Sequence, residues 1–160
     1  MRYGITGHRD LTPSTVEMVK QAFAERLSTT TGRIVVVSSL AEGADQLLAR
    51  MALEHGDELD AIVPAADYRM RRVDLAEYDR LIGQARRVTK LPFLEDGPAA
   101  HMAASLVLVE RSDTLIAVWD GQEARSFAGT ADVVAYARQV DVPVEVLWPS
   151  GSARKENDAL

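Results

Sequence analysis

The chain has 160 residues, 18 Lys+Arg against 24 Asp+Glu, a formal net charge of −6 and no cysteine. That length suits one domain, able to bury roughly two-thirds of its unfolded surface without covalent staples. The missing cysteines exclude a disulfide scaffold and thiolate zinc sites, and the acidic balance argues against a large phosphate-backbone footprint.

Short β-branched runs alternate with segments of helical period. The first strand is expected at Tyr3–Thr6, followed by the turn Gly7-His8-Arg9-Asp10. Thr12 then precedes Pro13, a helix-start signal. Val16, Val19, Phe23 and Leu27 follow at spacings of 3, 4 and 4, one helical face. Arg33–Val37 reads as the second strand, continuously apolar as in strands buried on both faces. A second helix runs from about Ala44 to His55, with Leu47, Leu48, Met51 and Ala52 inward and Gly56 as a left-handed cap.

The third strand is expected at Leu59–Val63, and a helix near Asp74–Ala85 carries Leu75, Tyr78, Leu81 and Ile82. Arg87–Lys90 is the fourth strand. The helix after Gly97-Pro98 is apolar nearly all round over Met102–Val109, which suits burial inside the protein or at a subunit contact. Thr114–Trp119 is the fifth strand. A helix from Thr130 presents Val133, Val134, Ala137 and Val140, and Val144–Leu147 is the sixth strand. Residues 1–148 are expected to form the domain, and the polar Pro149–Leu160 a frayed tail.

Strict β–α alternation predicts an α/β fold, with a mainly parallel sheet between two helical layers. Right-handed crossovers place the strand-to-helix loops along one edge, where such sheets bind ligands. Loop one offers Thr6, Gly7, His8 and Arg9: a tight turn, an imidazole and a guanidinium fork for phosphate or carboxylate. Loop two offers Ser38 and Ser39, then Glu42, Gly43 and Asp45 at a helix mouth. Exposed amides there attract anions, while Asp45 also suits the helix dipole as a cap. Loop three, Asp120–Gly129, offers Asp120, Gly121, Gly129 and Thr130, the last as a helix cap with a hydroxyl. In Pro64–Asp74, Tyr68 is a candidate for stacking on a base.

His55 and His101 carry no evident role, and the three histidines show no metal-ligand spacing, so no metal is expected. There is no Gly-x-Gly-x-x-Gly, Walker loop or nucleophile elbow, and no resident cofactor is expected. The start lacks a secretory leader and the longest apolar stretches, such as Leu106–Val109 and Leu115–Trp119, are too short to cross a bilayer. A cytoplasmic protein is the expectation.

ITGHRDL (5–11), SSLAEGADQLLA (38–49), SDTLIAVWDG (112–121) and AGTADVVAYAR (128–138) together resemble the SLOG superfamily. That group joins the Rossmann-like DNA-processing protein A with the LOG phosphoribohydrolases. The resemblance implies a Rossmann-like domain with a nucleotide-related ligand over the strand ends, often in a homodimer. LOG hydrolases carry Pro-Gly-Gly-x-Gly-Thr-x-x-Glu; with Gly129-Thr130 in register, Val133 takes the place of the glutamate. Asp132 lies one residue away, about 100° around the helix. Ala128 replaces a glycine, and Ser39 stands where the DNA-processing type has glycine.

The leading expectation is therefore a module that binds a nucleotide or nucleotide-derived signal without turnover. The alternative is hydrolysis of the N-glycosidic bond of a nucleoside monophosphate, with Glu42 and Asp120 as carboxylates and His8 assisting. Single-stranded DNA binding ranks third, since the net charge opposes it and 6% aromatic content supplies few stacking platforms.

Overall fold

The computed structural model describes residues 1–156. Along them run β1 (Arg2–Gly7), α1 (Pro13–Thr29), β2 (Val35–Ser38), α2 (Ala44–His55), β3 (Glu58–Ala65), α3 (Leu75–Gln84), β4 (Arg87–Phe93), α4 (Pro98–Glu110), β5 (Thr114–Val118), α5 (Thr130–Gln139) and β6 (Val144–Val146). A single 3-10 turn, Arg69–Arg71, precedes α3. The strands form one sheet in the order β4-β3-β2-β1-β5-β6, and each adjacent pair is parallel. This is a Rossmann-like α/β domain, in the class that the alternation predicts.

Two apolar clusters make the layers. Val19, Phe23 and Leu27 of α1, Leu48 and Ala52 of α2 and Leu81 of α3 pack on Tyr3, Ile5, Val36 and Leu59. Ala104 and Leu108 of α4 and Val133, Val134 and Ala137 of α5 cover Val37, Ile62, Leu115 and Ala117 on the other face. β2 is buried throughout, the consequence of helices on both sides.

Thr12 caps α1, its Oγ1 accepting the Thr15 N–H at 3.3 Å. Gly56 ends α2 at φ 97. Leu75 and Val140, expected inward, are each 40% exposed, because they stand at helix ends where the inner face leaves the sheet. In α4, Ala100, Ala104, Leu108 and Val109 are buried and Val107 packs partly buried against the same cluster, while Met102 and Leu106 are half-buried. Trp119 lies just beyond β5. No helix among the described residues is long and apolar enough to cross a membrane.

Residues 149–156 run back over loop one. Thr12 N–H donates to Ala153 O at 3.2 Å, and Lys155 N–H to Asp10 O at 2.6 Å. The last part of the expected tail, 157–160, lies outside the described residues.

A buried carboxylate ties the strand starts together. Asp60, 1% exposed in β3, accepts from Arg2 Nη2 at 2.9 Å and from Arg86 Nε and Nη2 at 3.0 Å each. Burial alone would raise its pKa, but the bonds from Arg86 and Arg2 outweigh that and hold it below the ordinary value. The stability it contributes is therefore full above the ordinary carboxylate range and lost as pH falls through the lowered pKa. Asp60→Asn is expected to cost about 3 kcal/mol near neutral pH, by stranding charge beside the missing partner. In urea denaturation the gap to wild type should narrow at about pH 3; a constant gap contradicts the pairing.

Candidate functional site

The chain lays β1 to β4 outward in one direction, then crosses through α4 and places β5 and β6 on the other side of β1. Strand order thus reverses between β1 and β5. The loops leaving those two strands part at their carboxyl ends, which is where open α/β sheets bind ligands. A cleft of about 250 Å³ opens there. Of the residues singled out in the sequence, Thr6, Gly7, His8, Arg9, Ser39, Asp45, Tyr68, Gly129 and Thr130 line it. Ser38, Glu42, Gly43, Asp120 and Gly121 stand behind or beside it.

Gly43 and Gly7 serve protein contact more than ligand approach. Gly43 has φ +83, and a Cβ there would lie 2.5 Å from Arg9 Cα and 2.6 Å from His8 O. A Cβ on Gly7 would lie 2.6 Å from the Ala44 Cβ and 2.8 Å from the Val118 Cβ. The start of α2 is thereby pressed onto loop one, where Ala44 N–H donates to His8 O at 3.2 Å. Ser38 is fully buried, and its Oγ accepts the Leu40 N–H at 3.0 Å, turning the chain instead of facing a ligand.

Glu42 is a strut. Its Oε2 accepts from Arg72 Nη1 at 2.9 Å and its Oε1 from the Val73 N–H at 2.8 Å. Both oxygens are engaged by the protein, and Glu42 is not among the residues that line the cleft. Arg72 is itself buried, with its guanidinium 3.8 Å from the Tyr68 ring centre. Tyr68 is 1% exposed, edge-on to Tyr78 and His101. With one face under Arg72 and the rest enclosed, it offers no platform for a base.

Asp45 differs from the other acids. It is 8% exposed, in the first turn of α2, and lines the cleft. The N-cap of α2 is Gly43 and no side chain caps it, so Asp45 is not the cap. Burial pushes its carboxyl up to about 7, against the pull of Arg9, the Ala41 amide and Arg72 and with the push of Glu42.

His8 and Asp120 form a pair behind the cleft. The Asp120 backbone N–H donates to His8 Nε2 at 3.1 Å, which places the proton of the neutral ring on Nδ1. Burial, with Arg154 nearby, holds the imidazole below the ordinary histidine pKa despite the opposing pull of Asp120. Asp120 Oδ1 accepts the Gln122 N–H at 3.0 Å and sits 3.1 Å from Nε2. Burial alone would raise Asp120, but the Gln122 amide, His8 and Arg154 outweigh it and hold the carboxylate ionised. Asp120 thus orders loop three; it does not reach the cleft lining.

The start of α5 is open. Its N-cap is Gly129, without a side-chain cap, so Thr130 is the first helical residue and not the cap. Asp132 Oδ2 turns back to accept the Ala128 N–H at 2.8 Å. Asp132 N–H and Val133 N–H bond Gly129 O, which leaves the Thr130 and Ala131 amides without a backbone partner among the described residues. Both residues line the cleft.

Sequence reasoning missed His101, Ser105, Arg125 and Arg154, all of which line the cleft. His101 and Ser105 are the two polar residues inside an otherwise apolar helix, one turn apart, and that spacing was a usable signal. Arg125 and Arg154 carried none. Among the described residues no cluster of His, Asp and Glu is arranged to hold a metal ion.

No family model matches the sequence, and no curated protein matches it. The Rossmann-like fold is shared with solved structures of DNA processing protein A and of TM1055. The structure is similar to DNA processing protein A (DprA) of Streptococcus pneumoniae, with a TM-score of 0.70 and 15% identity over 91% of this chain and 49% of that one. It is also similar to DNA processing protein A of Helicobacter pylori, a single-stranded DNA binder, with a TM-score of 0.65 and 16% identity over 91% and 64%. TM1055 follows at a TM-score of 0.54 and 13% identity over 89% and 71%. The chain spans about half of the first protein and under two-thirds of the second.

Asp45 gives this site a pH signature. A carboxyl raised to about 7 binds its proton more tightly folded than unfolded. The native state therefore loses stability as pH rises from the ordinary carboxylate range to about 7, and the loss persists above. Asp45→Asn removes the ionisation and should be more stable than wild type at pH 8, by on the order of a few kcal/mol, and near-equal at about pH 4. Urea denaturation at both values decides it; parallel curves contradict the raised carboxyl.

Proposed function

We propose that the cleft binds a nucleotide or nucleotide-derived phosphate ester, as a recognition or sensing module. The observation that carries this reading is the uncapped start of α5 facing Arg9 across one cleft at the strand-order reversal. Two unpartnered amides and a guanidinium are a phosphate cradle in composition. Arg9 is half exposed, and its nearest acid, Glu42, is 3.9 Å away and already held by Arg72. At about 250 Å³ the space lies just below the usual range for ligand sites, which favours a small ligand over an extended one.

A second reading, cleavage of an N-glycosidic bond, is favoured by Asp45. It is a carboxyl in the cleft wall that exchanges its proton at about 7, as a general acid or base requires. On that reading Asp45 replaces Glu42 and Asp120 in the chemistry. Binding of single-stranded DNA, the property named for the Helicobacter pylori neighbour, is opposed by the net charge of −6. The reading includes the cytoplasmic setting and the homodimer that the superfamily resemblance implies; the half-buried Met102 and Leu106 of α4, outside the core clusters, support a contact between copies.

Thermal shift of the full chain against AMP, cyclic nucleotides, NAD and ADP-ribose tests the first reading. At 100 times its Kd a ligand adds about 2.7 kcal/mol and raises Tm visibly. At least one compound should do so, and Arg9→Ala should remove most of the shift. Flat curves across the panel contradict it. Free base released from AMP, retained in Glu42→Gln and lost in Asp45→Asn, would instead establish the second reading.

A further inference from the structure

We propose that Arg154, on the segment after β6, is a phosphate-binding residue, and that this segment forms a wall of the ligand site. The inference rests on the reading of the cleft as a phosphate-ester site.

The segment is anchored by its main chain. Ala153 N–H donates to Thr15 Oγ1 at 2.8 Å, and Ala153 O accepts from Thr12 N–H at 3.2 Å and Thr15 Oγ1 at 3.1 Å. Leu11 and Arg154 form an antiparallel bridge, and Lys155 N–H donates to Asp10 O. None of these bonds uses the Arg154 side chain. Its placement is therefore set by backbone and leaves the guanidinium available.

That guanidinium is under-satisfied. It has five N–H donors. Nε donates to Asp10 Oδ1 at 2.8 Å, and Nη1 lies 3.8 Å from Asp120 Oδ2, beyond hydrogen-bond range. The terminal nitrogens have no acceptor among the described residues, yet the side chain is only 17% exposed and lines the cleft. These terminal nitrogens are accessible from the cleft, where a bound acceptor can reach them.

The local charge points the same way. Asp10 is shared between Arg154 and Arg125, the latter at 3.4 Å. Asp120 already accepts the Gln122 amide beside His8. Arg9, Arg125 and Arg154 share the cleft lining with Asp10, Asp45 and Glu123, and of these acids only Asp10 bonds Arg154. A phosphate monoester, with several anionic oxygens, can engage the free terminal donors; a guanidinium pinned at Nε presents its two Nη groups as a fork.

The test is calorimetric titration of the full chain and its Arg154→Gln and Arg154→Lys variants with AMP, adenosine and inorganic phosphate. Arg154→Gln should weaken AMP and inorganic phosphate at least about tenfold. Adenosine binding should stay unchanged, a split that a merely structural role would not produce. Arg154→Lys should fall between, keeping charge and losing the fork. If inorganic phosphate binding depends on Arg154 while AMP binds no better than phosphate, the inference stands and the nucleotide reading falls. Equal AMP and phosphate affinities in wild type and Arg154→Gln overturn the inference and leave the nucleotide reading intact. Equal losses of AMP and adenosine, or a wild type that binds neither AMP nor phosphate, also overturn it.

Discussion

The backbone of His8 and Arg9 meets Gly43 at a separation that leaves no room for a side chain. Most of the site is referred to that contact. It brings Ala44 N–H onto His8 O, and His8 N–H in turn bonds Val118 O at 3.0 Å, so loop one is held between α2 and β5. His8 then accepts the Asp120 amide and positions the start of loop three. One close approach thereby fixes the relative placement of three strand-to-helix loops. The φ of +83 at Gly43 adds a second reason why an L side chain there is incompatible with the assembly.

Within this frame the carboxylates divide by environment. Glu42 is consumed by Arg72 and a backbone amide and braces loop two against the turn before α3. Asp10 and Asp120 are held ionised by arginines and amides and keep guanidiniums at the cleft. Asp45, three residues after Glu42, has no ion pair among the described residues and carries the raised pKa. Neighbours in sequence differ this much because burial and partner count, not residue type, set the proton affinity.

The strands, helix faces and the sheet edge where the strand-to-helix loops gather were legible because they depend on periodicity and on crossover handedness, both local in sequence. Thr12 and Gly56 were legible as caps for the same reason. What escaped was the use of each side chain. Glu42 and Ser38 occupy loop positions that suit a ligand, but Arg72 and the Leu40 amide reach them first. Tyr68 has the chemistry of a stacking residue and the burial of a core one. Such competition is decided by partners distant in the chain, 30 residues away for Arg72. Arg154 lies 144 residues from Asp10, in a stretch whose polarity gave no sign of where it docks.

On the reading proposed above, an acidic chain with arginines gathered at one cleft would discriminate by size of anion. A long polyanion samples the field of the whole surface, where the charge of −6 repels it. Screening confines each exposed charge to roughly 8–10 Å at physiological salt. A small dianion inside the cleft would meet Arg9, Arg125, Arg154 and the α5 amides together with the acids Asp10, Asp45 and Glu123, in surroundings less screened than bulk water. On that reading the mostly buried Arg154 is a short-range donor, the half-exposed Arg9 and Arg125 add charge at the rim, and the distributed acidic surface would filter against extended chains. The same balance explains why the counter-charges are Asp10 and Asp120, anchored by backbone contacts. They hold the Arg154 guanidinium in place while leaving its terminal donors free of hydrogen bonds among the described residues.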